Sequence, residues 1–271
     1  SPFQYVGVQD YEYNGEIIDE QTPLARLVSE DRVKYVLKQS DYYGHSGDKL
    51  YGLVFVSRTD EAEKIAELMT KEGHPAQALT GKEERLTAIN KLKNGKLEYI
   101  VTVDIFNEGI DIPFINQIVM MRKTQSAIIF IQQLGRGLRK NPGKDYVVVI
   151  DFIGNYKNNY LIPVALTGDN TRNKEHIRDT TSKIDTVSGI SSINFTKVAK
   201  EMILASLKRG GNIFMKEIKD DYVELKHRLG RIPLMADFLE NNMVDSQALL
   251  DTLKPKGNYN DFLKKVNEDQ F

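Results

Sequence analysis

Leu53-Val54-Phe55-Val56-Ser57-Arg58-Thr59 is a short apolar run that breaks off into a hydroxyl, a base and a second hydroxyl. Asp60 to Glu72 follows with the spacing of an amphipathic helix. Four apolar residues in succession fit a strand buried on both faces, whereas a half-exposed strand would alternate with polar residues. The pattern recurs downstream. Tyr99-Ile100-Val101-Thr102-Val103, Ile115 to Met121 and Tyr146 to Phe152 read as strands, while Ser126 to Leu138 and the stretch ending at Lys93 read as helices. Short β-branched runs separated by helical patterns are βαβ units. The expected fold class is therefore α/β, a parallel sheet with helices on both faces.

Outside this core the texture changes. Phe3-Gln4-Tyr5-Val6-Gly7-Val8 reads as a lead-in strand and Leu24 to Tyr43 as a helical pair, ahead of a loop that holds His45. After Phe152 the strand signal fades into the polar loop Gly154 to Asn159, and 168–192 is rich in Gly, Asp, Asn, Thr and Ser. From Phe195 the pattern is helical, with helices expected at 195–209, 214–229, 233–241, 246–253 and 258–267. The predicted organisation is a lead-in at 1–50, an α/β domain at 51–170 and a small helical domain at 171–271. A length of 271 residues suits two domains of roughly 100–200 residues each.

Composition excludes several classes. Hydrophobic residues at 41% and charged residues at 28% are ordinary for a globular chain, so neither wholesale disorder nor a coiled coil is expected. There is no apolar run of about 18 residues, so no transmembrane helix is expected. SPFQYVGVQD lacks both a signal peptide and an initiator Met, which reads as a piece of a longer cytoplasmic chain. The absence of Cys removes disulfides, thiolate zinc sites and Cys nucleophiles, and four scattered His make a metal site unexpected. Net charge is −1, with 20 basic and 23 acidic residues over 1–171 and 17 and 15 over 172–271. A blanket-basic nucleic-acid binder is thereby excluded, but a local basic line is not.

Chemistry concentrates where strands end. Gln132-Gln133-Leu134-Gly135-Arg136-Gly137-Leu138-Arg139 places two Arg three apart, on one side of a helix. Its two Gly would each cost roughly 1 kcal/mol relative to Ala within a helix, which implies a close approach. Planar guanidinium groups suit a polyphosphate, although a basic helix end is the plainer reading of this segment alone. Upstream, the strand at Val101-Thr102-Val103 runs into Asp104-Ile105-Phe106-Asn107-Glu108-Gly109-Ile110-Asp111-Ile112-Pro113. Loops at the carboxyl ends of parallel strands hold ligands, yet a capped turn would use the same residues. Ser57 with Arg58, Thr80 with Gly81 in Leu79-Thr80-Gly81-Lys82, and Thr102 thus present hydroxyls at three strand ends. Short hydroxyls and backbone N–H groups are what sequence-blind contact with a phosphate backbone requires.

In this order the motifs resemble the second RecA-like motor domain of superfamily 2 helicases and translocases. The likeness covers about residues 50–152. Phe55 to Thr59 resembles motif IV, Leu79-Thr80-Gly81 the phosphate-contact motif after it, Val101 to Pro113 motif V, and Gln132 to Arg139 the QxxGRxxR of motif VI. Gly109 to Pro113 and Val149-Ile150-Asp151-Phe152-Ile153-Gly154 look most like bacterial DEAD/DEAH-like enzymes related to type III restriction helicase subunits. The resemblance implies that Arg139 is the arginine finger on the γ-phosphate, with Arg136 beside it and Gln132 positioning phosphate and water. Gly109 and Asp111 would lie at the ATP cleft. Ser57, Arg58, Thr80, Gly81 and Thr102 would hold the nucleic-acid backbone. No GxxxxGK[ST] occurs in these residues, and no DExx pair follows a strand in the right context, since Asp60-Glu61 opens a helix after motif IV. ATP and its Mg²⁺ would therefore be bound mainly by an N-terminal RecA-like domain, and 1–271 alone is expected to hydrolyse no ATP. The implied partners are that domain and a nucleic acid, DNA before RNA, with no membrane.

Two other readings stay open. A RecA-like module uncoupled from ATP would scaffold or regulate, though it would have no need of both Arg136 and Arg139. A small-molecule α/β enzyme would use Asp104 and Asp111 as acid, base or divalent-metal ligands. In the C-terminal part, Gly230 should end a helix, Ile232 pack beneath the turn and Pro233 open the next helix. That segment, with Asn258 to Leu263, resembles the small helical repeats found beside homing endonucleases. Such repeats would touch DNA through Arg228, Arg231 or Lys208-Arg209; the competing reading is a helical bundle with solvated charges.

Overall fold

The computed structural model describes residues 2–19, 21–79, 84–103, 112–121, 144–156, 159–167, 174–184 and 192–209, scattered positions from 219 to 237, and 259–268. The described strands are β1 (Phe3–Gln9), β2 (Glu12–Tyr13), β3 (Glu16–Ile17), β4 (Gly52–Phe55), β5 (Ala76–Leu79), β6 (Tyr99–Thr102), β7 (Gln117–Met120), β8 (Val147–Ile153) and β9 (Ser192–Phe195). β2 and β3 pair as a small antiparallel hairpin. The others form a sheet in the order β5-β6-β4-β7-β8-β1-β9, parallel at every neighbouring pair.

Side chains alternate across this sheet, as a two-residue period demands, and each set meets its own helices. Val54, Val56, Val101, Val119, Val148, Ile150 and Phe152 face α2 (Glu30–Tyr43) and α3 (Thr59–Lys71), which bury Val33, Val36, Ile65 and Met69 against them. Leu53, Phe55, Ile100, Ile118, Val147, Val149 and Ile153 face the other layer. That layer holds α4 (Arg85–Lys93) and, past α5 (Leu161–Thr167) and α6 (Lys174–Lys183), the long α7 (Lys197–Arg209). Tyr160, Ile177 and Leu207 tie α6 to α7 in a satellite cluster. The continuous apolar runs of β4, β6 and β8 are thus explained by burial on both faces, as the sequence predicts.

Two features depart from the expected organisation. The lead-in strand does not stand apart from the sheet: β1 lies between β8 and β9, in register from Phe3↔Val147 to Gln9↔Ile153 on one side and Gln4↔Ser192 to Gly7↔Phe195 on the other. The core also continues past residue 170, because Ile184, Ile193, Phe195, Ala199, Met202 and Ile203 belong to the same apolar layer as Leu53 and Phe55. The strand signal of β9 is faint because an edge strand reading Ser192-Ile193-Asn194-Phe195 needs only two inward apolar residues.

Packing leaves no room for a side chain where β4 begins. A Cβ on Gly52 would lie 2.3 Å from the Tyr99 ring and 3.1 Å from the Glu98 carbonyl. Tyr99 is fully buried, and its hydroxyl donates to Gln117 Oε1 at 2.8 Å, so the ring has little freedom to yield. Gly52→Ala is expected to destabilise the domain by about 1–3 kcal/mol through overpacking. A urea midpoint unchanged from wild type would contradict it.

Candidate nucleic-acid interface

The order β5-β6-β4 sets three carboxyl ends side by side on one edge of the sheet. β4 and β7 are neighbours, yet the chain leaves β4 towards β5 and leaves β7 towards β8. Such a divergence is a topological switch point, where open parallel sheets hold their ligands.

Ser57 and Arg58 occupy this edge, both exposed. Val56 N–H donates to the Thr102 carbonyl at 3.0 Å, prolonging the β4–β6 ladder to the residue before Ser57. Arg58 is the N-cap of α3 in an extended conformation, but its side chain caps nothing. Its guanidinium instead donates as a fork to Asp60, Nε to Oδ1 at 2.9 Å and Nη2 to Oδ2 at 2.6 Å. The hydrogen bond holds Arg58 above and Asp60 below their ordinary pKa ranges. A fork on two oxygens is also the geometry that a phosphate takes, so an incoming phosphate has Asp60 to displace.

Beneath the turn lies a buried chain of charges. Glu61 Oε2 accepts from Ser57 N–H at 3.0 Å, and Glu61 Oε1 stands 3.6 Å from Arg32 Nη1. Arg32 donates Nε and Nη2 to the two oxygens of Asp10 at 3.0 and 2.8 Å, and Nη1 to the Leu27 carbonyl at 2.8 Å. Arg32, Glu61 and Asp10 are 0%, 0% and 1% exposed, so these charges have no solvent to screen them. Burial opposes the charge on Arg32, but Asp10 and then Glu61 outweigh it and hold the guanidinium above its ordinary range. Burial likewise raises the Glu61 carboxyl, only partly offset by Arg32 and the Ser57 N–H. Asp10 in turn donates its backbone N–H to the Ile153 carbonyl at 2.9 Å, anchoring the chain to the end of β8.

Of the expected site residues, the structure thus brings Ser57 and Arg58 to the surface of the switch-point edge. Thr102 is at the same edge but only 2% exposed, since β6 is flanked by β5 and β4 and the strand's last side chain stays inside. Its side chain is therefore not exposed at this edge as Ser57 and Arg58 are. Thr80, Gly81, Asp104, Gly109, Asp111, Gln132, Arg136 and Arg139 lie outside the described residues. The buried chain escaped sequence reading, though a signal was present. Arg32 and Glu61 fall on the apolar stripes of their helices, beside Val33, Val36 and Leu37 and beside Ala62, Ile65 and Ala66. A charge on a buried stripe needs a partner.

Among the described residues no group of three or more His, Asp or Glu is placed to hold a metal ion. Among them, too, no helix is long and apolar enough to cross a membrane. In the C-terminal part Gly230 has φ +65° and donates to the Lys226 carbonyl, closing its helix as predicted. Ile232 is corrected: at 51% exposure it does not pack beneath the turn. Arg231 forks onto Asp237 at 2.7 and 2.8 Å, and Asp237 Oδ2 also accepts from Leu234 N–H, so the turn is braced by ions in place of apolar packing. Arg228 and the Lys208 and Arg209 side chains lie outside the described residues.

Residues 33–141 match the helicase conserved C-terminal domain, and residues 218–271 match a domain of unknown function, DUF8090. Over residues 33–141 the α/β part of the chain is similar to the C-terminal domains of helicases. "Putative ATP-dependent helicase IRC3" of Saccharomyces cerevisiae is 46% identical over 71 residues, 26% of this chain and 10% of that protein. ATP-dependent RNA helicase SrmB of Haemophilus influenzae is 31% identical over 91 residues, 32% of this chain and 21% of that protein. Among solved structures, the ATP-dependent Type ISP restriction-modification enzyme LlaBIII bound to DNA is 15% identical, with a TM-score of 0.45 over all of this chain and 24% of that one. The chain spans between 10% and 35% of the lengths of five curated relatives that it matches.

Proposed function

We infer that these residues are the second motor domain of an ATP-dependent helicase or translocase. Arg139 supplies the arginine finger, Arg136 stabilises the developing charge and Gln132 positions phosphate and water. Gly109 and Asp111 shape the ATP cleft. ATP and its Mg²⁺ are bound mainly by a preceding RecA-like domain, so residues 1–271 alone turn over no ATP. Ser57 and Arg58, with Thr80 and Gly81, grip the backbone of the tracking strand. The observation that carries the reading is the match of 33–141 to the helicase C-terminal domain, with Ser57 and Arg58 exposed at its switch point. A near-neutral chain fits a narrow line of contacts better than a basic surface. DNA is taken as the first substrate on the resemblance of Gly109 to Pro113 to restriction-type helicases, although relatives named as RNA helicases match as well.

The test is nucleic-acid-stimulated ATPase of the full-length protein on single- and double-stranded DNA and RNA. Arg58→Ala should weaken binding to all sequences alike and reduce the slope of log affinity against log salt by about one. Stimulation by no nucleic acid would sink the motor reading, and stimulation by RNA alone would replace DNA with RNA.

A further inference from the structure

The geometry points to Asp10, Arg32 and Glu61 as positioning residues that set the Ser57-Arg58 turn for contact with a phosphate backbone. This rests on the reading of that turn as a strand contact. Several observations converge on it. The first turn of α3 has no cap from its own N-cap side chain; Glu61 reaches back to the N–H of Ser57 instead. The peptide at Ser57 is thereby oriented, while the Ser57 hydroxyl and the Arg58 guanidinium stay outside. Glu61 is not free to choose a rotamer, because Arg32 faces its other oxygen and every member of the chain is fully buried. Arg32 is fixed in turn by a two-point fork on Asp10, and Asp10 by its N–H on the Ile153 carbonyl at the end of β8. The result is a rigid path, running along the carboxyl edge from β1 to β4, that ends on the backbone of the contact turn. Three buried charges are a costly way to hold a helix in place, since apolar residues of the same volume usually serve stability as well or better. What the charges add is direction at Ser57.

Two substitutions in the full-length protein separate direction from charge. Glu61→Asp keeps the negative charge facing Arg32 but withdraws the acceptor by one methylene, out of reach of Ser57 N–H. Glu61→Gln removes the charge and keeps an acceptor oxygen at the same reach. The readout is the nucleic-acid concentration that half-saturates ATPase, alongside turnover at saturation. Glu61→Asp should raise the half-saturating concentration about tenfold, the scale of one hydrogen bond to a charged group. Turnover at saturation should change less than about twofold, and Glu61→Gln, which keeps the acceptor but sets an amide NH2 against Arg32, should fall between wild type and Glu61→Asp. Combined with Ser57→Ala, Glu61→Asp should add little, because both act through one turn. A normal half-saturating concentration in Glu61→Asp, or a larger defect in Glu61→Gln than in Glu61→Asp, would overturn the proposal. Arg58→Ala distinguishes the two levels: if it leaves binding unchanged, the strand-contact reading itself fails, whereas a weakened Arg58→Ala beside a normal Glu61→Asp removes only the positioning role.

Discussion

Arg139→Ala in the full-length protein is expected to lower nucleic-acid-stimulated ATP turnover by about a thousand- to a hundred-thousand-fold, the range that arginine fingers supply in phosphoryl transfer. The size follows from the chemistry. Charge builds on the transferring phosphate only in the transition state, so a guanidinium aimed there stabilises the transition state more than bound ATP. The loss should therefore appear in turnover at saturating ATP, with the half-saturating nucleic-acid concentration nearly unchanged. Arg139→Lys should recover little, because one ammonium cannot reproduce a planar fork of donors. Arg136, three residues earlier in the sequence, should give a smaller loss of the same kind. Steady-state ATPase of the three variants checks the order, and an Arg139→Ala protein as active as wild type would remove the finger from this residue.

Arg32→Ala is the second large effect, and it is one of stability. Removing the guanidinium leaves Asp10 and Glu61 buried without their counter-charge, and breaking a buried pair from one side costs about 3–5 kcal/mol. The loss has a pH dependence with a definite sign. Burial already raises the Glu61 carboxyl above its ordinary 4.5, so its contribution to stability is fully present below that value and is lost as pH rises through the raised one. Without Arg32 the Glu61 carboxyl is driven further towards the protonated state, and the deficit of Arg32→Ala should narrow as pH falls towards about 4.5. Replacing Asp10, Arg32 and Glu61 together by apolar residues should recover most of the stability while leaving the Ser57 turn unfixed. Chemical denaturation of wild type and variants at pH 5 and pH 8 makes the comparison, and an equal deficit at both would contradict the buried-charge account.

The inner strands β4, β6, β7 and β8 were legible because burial on both faces writes continuous apolar runs such as Leu53 to Val56 and Val147 to Ile150, whereas the edge strand β9 was not. The amphipathic helices α2, α3 and α4 were legible for the complementary reason, one stripe facing the sheet. What escaped was placement across the chain. Nothing local in Phe3 to Gln9 says that its neighbours are residues 147–153 and 192–195, because parallel pairing leaves no mark in sequence beyond an apolar run. The turn at Ser57-Arg58 was legible from residue type and strand-end position. Its support was not, since the bonds from Asp10 to Arg32 and from Arg32 to Glu61 join residues far apart in the sequence. Exposure was the other blind spot: Thr102 and Ser57 look alike in sequence, and only the neighbours on either side of β6 bury one of them.

The place of β1 has a mechanical consequence. It is held by a seven-residue parallel ladder to β8 on one side and a four-residue ladder to β9 on the other. Tension applied between Phe3 and Phe195 loads opposite ends of two parallel strands, so the hydrogen bonds between them are pulled in shear and share the force, instead of being peeled open one at a time. The same tension must also part Tyr5 from Phe195, whose rings meet edge to face at 5.7 Å. A body built this way resists stretching along its strands far more than it resists peeling across them.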